Sequence, residues 1–319
     1  MKQILIYMIN NMILLLLVLI LMMISVAFLT LFERKILSLI HYRKGPNKIS
    51  FIGLLQPFSD AMKLLSKEFF FPLKSNYYYY FITPMIMFTL IMTLWLIYPF
   101  KTNLMNFNFN TLFFLCMMSM SVYSLMISGW SSNSSFSLLG SIRSIAQSIS
   151  YEVTFSISFL LCLFLINSLN IYNLMYTQKY IWLIILMWPS SMIILISMLA
   201  EINRTPFDLS EGESELVSGF NIEYSSCGFV LIFLSEYASI MFMMFLFNLT
   251  FFYTNYFNLL FYLNFIYLIY FIIWTRLTLP RIRYDFLMIF CWTYILPYIL
   301  ILFLCSFLFI KFPIDFILI

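Results

Sequence analysis

The sequence predicts an all-α, polytopic membrane protein with about eight transmembrane helices plus an interfacial amphipathic helix, forming a single integral membrane domain over 1–319. Three observations carry that prediction. Hydrophobic residues make up 63% of the chain and charged residues only 9%, too little polar surface for a water-facing exterior. The apolar residues fall into long runs, and roughly 20 of them suffice to cross a hydrocarbon core about 30 Å thick. The runs also lack the polar–apolar alternation of an outer-membrane barrel, and only a helix satisfies every backbone group within one such segment.

The spans are read at roughly 4–32, 77–100, 104–130, 149–174, 180–201, 229–252, 259–275 and 287–310. The first run, Ile4 to Phe32, carries no charge. It is too long for the apolar core of a cleavable signal peptide and no small-residue cleavage site follows. It also lacks the Arg-rich amphipathic character of an organelle import sequence, so it reads as a retained span. The loop after it opens with Glu33-Arg34-Lys35 and continues through His41 to a Gly45-Pro46-Asn47 turn. Leu54, Leu55, Phe58, Met62, Leu65 and Phe69 then recur at about helical spacing, with Asp60, Lys63 and Lys67 on other faces. This is the pattern of an amphipathic helix in the membrane interface. It serves either as a plain surface helix or as one wall of an opening for a lipid-soluble ligand. The tyrosines at 77–80 read as an interfacial aromatic belt.

Orientation follows from the cations. The odd-numbered loops hold 13 of the 17 Lys and Arg residues; only Lys2, Lys101, Lys179 and Lys311 lie on the other side. Positive residues stay inside, so the odd loops face the cytoplasm or its organellar equivalent, the matrix, with both termini opposite. The composition points to an organelle. Phe at 38, Tyr at 22 and Met at 22 against Gly at 7 follow AT-rich against GC-rich codons.

Several redox and nucleotide chemistries have no residues to support them. Cys116, Cys162, Cys227, Cys291 and Cys305 are scattered without C-x-x-C spacing, so they read as small buried hydrophobes rather than cluster or zinc ligands. A single histidine, His41, cannot supply paired haem ligands. No G-x-G-x-x-G or P-loop pattern occurs, and nothing calls for a nucleic-acid partner. No catalytic residue or metal ligand is assigned, and any redox centre belongs to a partner.

The informative residues are carboxylates. Glu152 follows Arg143-Ser-Ile-Ala-Gln147-Ser-Ile-Ser-Tyr151 and sits inside the fourth span; Glu236 sits in Ser235-Glu236-Tyr237 inside the sixth. A charge at the bilayer centre costs roughly 2.5–3.5 kcal/mol on insertion scales. The two readings are a buried ion pair that locks helices and a proton relay. The relay is preferred because neither span holds a Lys or Arg.

The densest segment is Ala200-Glu201-Ile-Asn203-Arg204-Thr205-Pro206-Phe207-Asp208-Leu-Ser210-Glu211-Gly212-Glu213-Ser-Glu215, continuing through Phe220 to Glu223-Tyr224. Thr205 as N-cap, Pro206 at the first position and Asp208 at the third predict a helix start. Capping does not explain Glu201, Glu211, Glu213, Glu215 and Glu223 opposed by Arg204 alone on the positive face. Interleaved Phe207, Leu209, Leu216, Val217 and Phe220 predict a loop folded over a cavity rather than a solvated acidic loop. The last odd loop holds Arg276, Arg281, Arg283, Tyr284 and Asp285. Its arginines are orientation signals, ligands for acidic lipid headgroups, or the answer to the acidic loop across the same cavity.

Together these stretches resemble the family of subunit 1 of proton-pumping NADH:ubiquinone oxidoreductase, respiratory complex I, in its mitochondrially encoded form. The matching stretches are ERK at 33–35, GPNK at 45–48, GLLQPFSDAMKLLSKE at 53–68, RSIAQSISYEV at 143–153, the 25-residue run at 200–224, SEY at 235–237 and RLTLPRIRYD at 276–285. Ser235 departs from the small apolar residue expected there. The resemblance implies a mitochondrial inner-membrane subunit with no cofactor of its own. It implies ubiquinone as the substrate of the complex, with FMN and iron–sulfur clusters in partner subunits. Partners would be the peripheral quinone-site and iron–sulfur subunits, neighbouring small membrane subunits and membrane lipids. It places Glu33, Arg34 and Asp60 at the mouth of the quinone cavity. Arg204, Asp208, Glu211, Glu213, Glu215, Phe220, Arg281, Arg283 and Asp285 would line or support that cavity. Glu152, Glu201, Glu223 and Glu236 would begin a proton path. A hydrogenase membrane subunit is the alternative within the same superfamily. A self-contained channel or transporter is the alternative outside it, although no inverted repeat or pair of broken helices is visible.

Overall fold

The computed structural model describes residues 2–99, 108–179, 181–210, 212, 219–252 and 258–317. The apolar runs fold as helices because no other local structure bonds every backbone group without water. In order, these are α1 (Lys2–Ile40), α2 (Gln56–Leu65), α3 (Tyr77–Leu94), α4 (Asn110–Ser132), α5 (Ser135–Phe164), α6 (Leu174–Thr177), α7 (Leu183–Leu186) and α8 (Trp188–Glu201). They are followed by α9 (Ser226–Phe251), α10 (Leu259–Thr278), α11 (Tyr284–Ile289) and α12 (Leu296–Ile317), the last two joined by a π-helical stretch over Phe290–Ile295. Among the described residues seven helical segments are long and apolar enough to cross a membrane.

The fifth predicted span, 180–201, differs. It is split into α7 and α8 at Met187, with Pro189 in the first turn of α8. A proline ring inside a continuous helix would meet the carbonyl four residues back, here that of Ile185. The 14 residues of α8 rise only about 21 Å, less than a full hydrocarbon core. The fourth span also differs. It starts at Ser135 rather than 149, so the stretch holding Arg143 and Gln147 is helix, and it ends at Phe164. Its interior serines leave no hydroxyl unpaired, because they donate to the carbonyl three residues back, as Ser141 does to Leu138 and Ser144 to Ser141.

α5 and α9 form the middle of the bundle. α3 packs on α4 and α9, α4 on α5, and α5 on α8. α9 is buried almost continuously from Met241 to Phe251, whereas α1 presents most of its length outward. The amphipathic α2 lies against α1 and α9, with Phe58, Met62 and Leu65 exposed on its outer face. One glycine contact matters for the site. A Cβ on Gly140 of α5 would lie 3.1 Å from the Cα of Gly219, which itself has φ +59. The 219–224 segment therefore lies directly on α5.

Two expectations need correction. Tyr77, Tyr78 and Tyr79 are exposed, but Tyr80 is fully buried because its hydroxyl donates to the carbonyl of Glu223 and its ring stacks on Tyr224. Cys162 and Cys291 are buried, but Cys116, Cys227 and Cys305 are exposed, since they sit on outward faces of apolar helices.

Candidate functional site

Glu33 and Arg34 are consecutive on α1, about 100° apart around the helix, so they face different surroundings. Arg34 pairs with Asp60 of α2 at 2.5 Å, and Gln56 donates to the other Asp60 oxygen at 3.0 Å. The pair is largely exposed, so it fixes geometry more than it stabilises, at about 0.2–1 kcal/mol. Glu33 instead turns into the bundle and is 5% exposed. One of its oxygens pairs with Arg276 in the last turn of α10, and the other accepts from the Tyr237 hydroxyl of α9 at 2.6 Å. One carboxylate thus ties three helices together.

The segment after α8 docks onto this junction. The helix expected from Thr205 to Asp208 does not form; these residues run as turns whose side chains reach the last odd loop. Thr205 donates its hydroxyl to the Arg276 carbonyl at 3.5 Å, and Asp208 pairs with Arg281 at 3.1 Å. The Ile282 N–H donates to the Pro206 carbonyl at 3.0 Å. From the other side, the buried Gln147 of α5 donates to the carbonyls of Ala200 and Phe207 at 2.7 and 2.8 Å. Phe207 rests against Tyr151. The loop is held from two sides.

This arrangement brings Arg204 over the Tyr237 ring, 4.8 Å from its centroid, and 3.7 Å from a carboxylate oxygen of Glu236. Of the two sequence readings, a buried ion pair and a proton relay, Glu236 thus has the cation that the first requires. Its own span holds none, but the loop supplies one. Next to the pair is a cavity of about 60 Å³ whose lining includes Glu201, Asn203, Arg204, Ser210, Phe220 and Glu236. A water needs roughly 10–15 Å³ of such volume, so the space suits a few water molecules and not an aromatic headgroup. Glu201 Oε2 and Asn203 Oδ1 are buried there without a hydrogen-bond partner among the described residues. Glu201 also lies within electrostatic reach of Glu152 on α5, which is partly exposed.

Beneath the loop, Phe220 packs with Tyr80, Met87, Tyr224 and Ile232. The Tyr80 and Tyr224 rings stack 4.4 Å apart, and the Tyr224 hydroxyl meets Thr83 and Ser131 at 2.9 and 3.3 Å. Burial raises the Tyr224 pKa, keeping the phenol neutral.

A family model described as NADH dehydrogenase matches residues 13–307. The chain belongs to the NADH dehydrogenase family. NADH-ubiquinone oxidoreductase chain 1 of Aedes aegypti is 51% identical over 275 residues, covering 86% of this chain and 88% of that one. The protein of the same name from Artemia franciscana is 49% identical over 284 residues, with 89% and 93% covered. That from Osphranter rufus is 44% identical over 299 residues, with 92% and 93% covered. The family read from the motifs is the family found.

Of the residues singled out for this family member, the structure groups Glu33, Arg204, Asp208, Glu201, Glu236, Phe220 and Arg281 around one junction, with Arg34 and Asp60 paired just outside it. Arg283 and Asp285 are exposed and stand apart, and Glu223 joins through its main-chain carbonyl. Glu211, Glu213 and Glu215, with Leu216 and Val217, lie outside the described residues. Three participants were not among the site residues assigned from sequence: Arg276, read only with the other arginines of its loop, Tyr237 and Gln147. A cation in the last turn of a span and a tyrosine beside a membrane carboxylate are signals that point to the first two. Gln147 gave a weaker one, a long amide among serines.

Proposed function

We propose that this chain is the core membrane subunit of a proton-pumping NADH:ubiquinone oxidoreductase in the mitochondrial inner membrane. In this reading its odd loops face the matrix and its termini the intermembrane space. It forms the membrane part of the ubiquinone cavity and supplies the first carboxylates of the proton-coupling path. One observation supports this most. Glu33, Tyr237, Arg204 and Glu236, from α1, α9 and the 201–210 loop, form an unbroken chain of polar contacts that ends at a small cavity shared with Glu201.

Electrons reach the quinone from peripheral partners that hold FMN and iron–sulfur clusters. Reduction of a quinone to a quinol takes two electrons and two protons, so charge appears and is neutralised close to these residues. The cavity in this chain is too small for a quinone headgroup, so a peripheral partner completes the chamber above the loop. The role of this chain is to respond. A carboxylate that loses or gains a proton changes its attraction to Arg204 or Arg276, and the loop carrying Arg204 shifts with it. Glu201 and Glu152 then carry the proton change away from the loop.

Photoaffinity labelling of the assembled complex with a quinone analogue tests the reading. Label is expected within 53–68 and 200–224. Label found only outside those segments overturns the assignment.

A further inference from the structure

We propose that a groove on the far side of the bundle from the ion pairs holds one chain of a membrane phospholipid. The groove encloses about 530 Å³ between α1, the turn after α3, α9 and α10. α1 lines it from Leu14 to Ser25, a rise of about 16 Å, or roughly half of a hydrocarbon core about 30 Å thick. It is therefore one leaflet deep. Its walls are apolar, with Leu17 and Val18 facing Phe245 and Phe261. At the end where α3 finishes and α10 begins, the Tyr98 and Tyr262 hydroxyls stand 3.2 Å apart. Tyrosine hydroxyls favour the depth of the headgroup and ester region, with the ring in hydrocarbon.

The lining thus runs from polar to apolar over the length of one leaflet, which is the profile of a glycerophospholipid from its ester to its chain end. A second groove between α1 and α3, lined by Leu15, Met23, Phe88 and Met92, is a natural control. It encloses about 290 Å³, and its Thr89 and Thr93 hydroxyls donate to carbonyls of their own helix, so it has no polar end.

The test uses the assembled complex in lipid nanodiscs containing phosphatidylcholine with a mid-chain diazirine. After irradiation, residues 241–245 and 261–265 are expected to carry several-fold more label than 88–93, which line the second groove and not the first. Val18→Trp, which fills the groove, is expected to remove most of that excess while leaving 88–93 unchanged. Tyr262→Phe keeps the packing and guards against failed assembly; it is expected to lower the excess about fivefold, the worth of one hydrogen bond. Equal labelling of the two grooves, or an excess indifferent to both substitutions, overturns the proposal. So does displacement of the lipid label by a photoreactive ubiquinone, or a cross-link from these residues to a partner helix. None of these outcomes bears on the 53–68 and 200–224 segments.

Discussion

The helices α1, α9 and α10 are held together in two different ways along their length. On the side of the odd loops they meet through Glu33, Tyr237 and Arg276, where each contact has a direction and a required partner. On the opposite side, they and their neighbours meet through Trp95, Phe242, Phe245 and Phe261, whose rings touch edge-on or tilted. The first layer is specific because losing one partner strands a charge in a medium that cannot solvate it. The second is tolerant because dispersion and area depend on filled volume, not on identity. On the proposed function, the bonds that would respond to protonation all lie in the first layer.

The strongest way to break this comparison is at Arg276. Arg276→Ala leaves the buried Glu33 without its cation and is expected to cost about 3–5 kcal/mol, read as loss of assembled complex. The paired change Glu33→Leu with Arg276→Met removes both charges and is expected to restore most of the assembly without restoring quinone reductase activity. If the double variant assembles no better than the single, the stranded charge is not what matters, and the layer is held by something other than ion pairing.

The aromatic layer should respond to volume alone. Phe242 is 1% exposed and lies 5.5 Å from Trp95 and 5.7 Å from Phe114. Phe242→Ala is expected to lower stability by about 3 kcal/mol, and Phe242→Leu by less than about 1.5 kcal/mol. Thermal unfolding of the purified complex measures both. A leucine as damaging as an alanine would mean that ring geometry is specified here too, and the contrast between layers would fail.

The sequence made the second layer legible and only half of the first. Runs such as Ile240–Phe247 announce a buried helix by composition alone, because burial in hydrocarbon needs no particular partner. The carboxylates were also legible, since Glu152 and Glu236 stand out against apolar neighbours. Their partners were not. Arg204 lies 32 residues before Glu236, and Arg276 lies 243 after Glu33. No local pattern links such residues; only the packing of α1 on α10 and the docking of the 201–210 loop do. The cap reading at Thr205 failed too: the local rule is sound, but the segment docks on the last odd loop, where the Thr205 hydroxyl donates to the Arg276 carbonyl. Pro189 was visible and still understated, because hydropathy counts a proline as neutral while a helix cannot pass through it unbroken.

The smallest expected effect sharpens what membership of the polar layer means. Ser235 is adjacent to Glu236, fully buried and on the wall of the small cavity, yet its hydroxyl donates to the Ile232 carbonyl of its own helix at 2.6 Å. It links no two elements. Ser235→Ala keeps nearly the same volume and removes a bond the helix backbone does not require, so stability is expected to change by less than about 0.5 kcal/mol. Quinone reductase activity and its pH profile should be unchanged, because the contacts of Glu236 and Tyr237 remain. A shifted pH profile at unchanged stability would show that the hydroxyl takes part in the protonation of the cavity. The polar layer would then be defined by what lines the cavity, with ion pairing between helices as only one part of it.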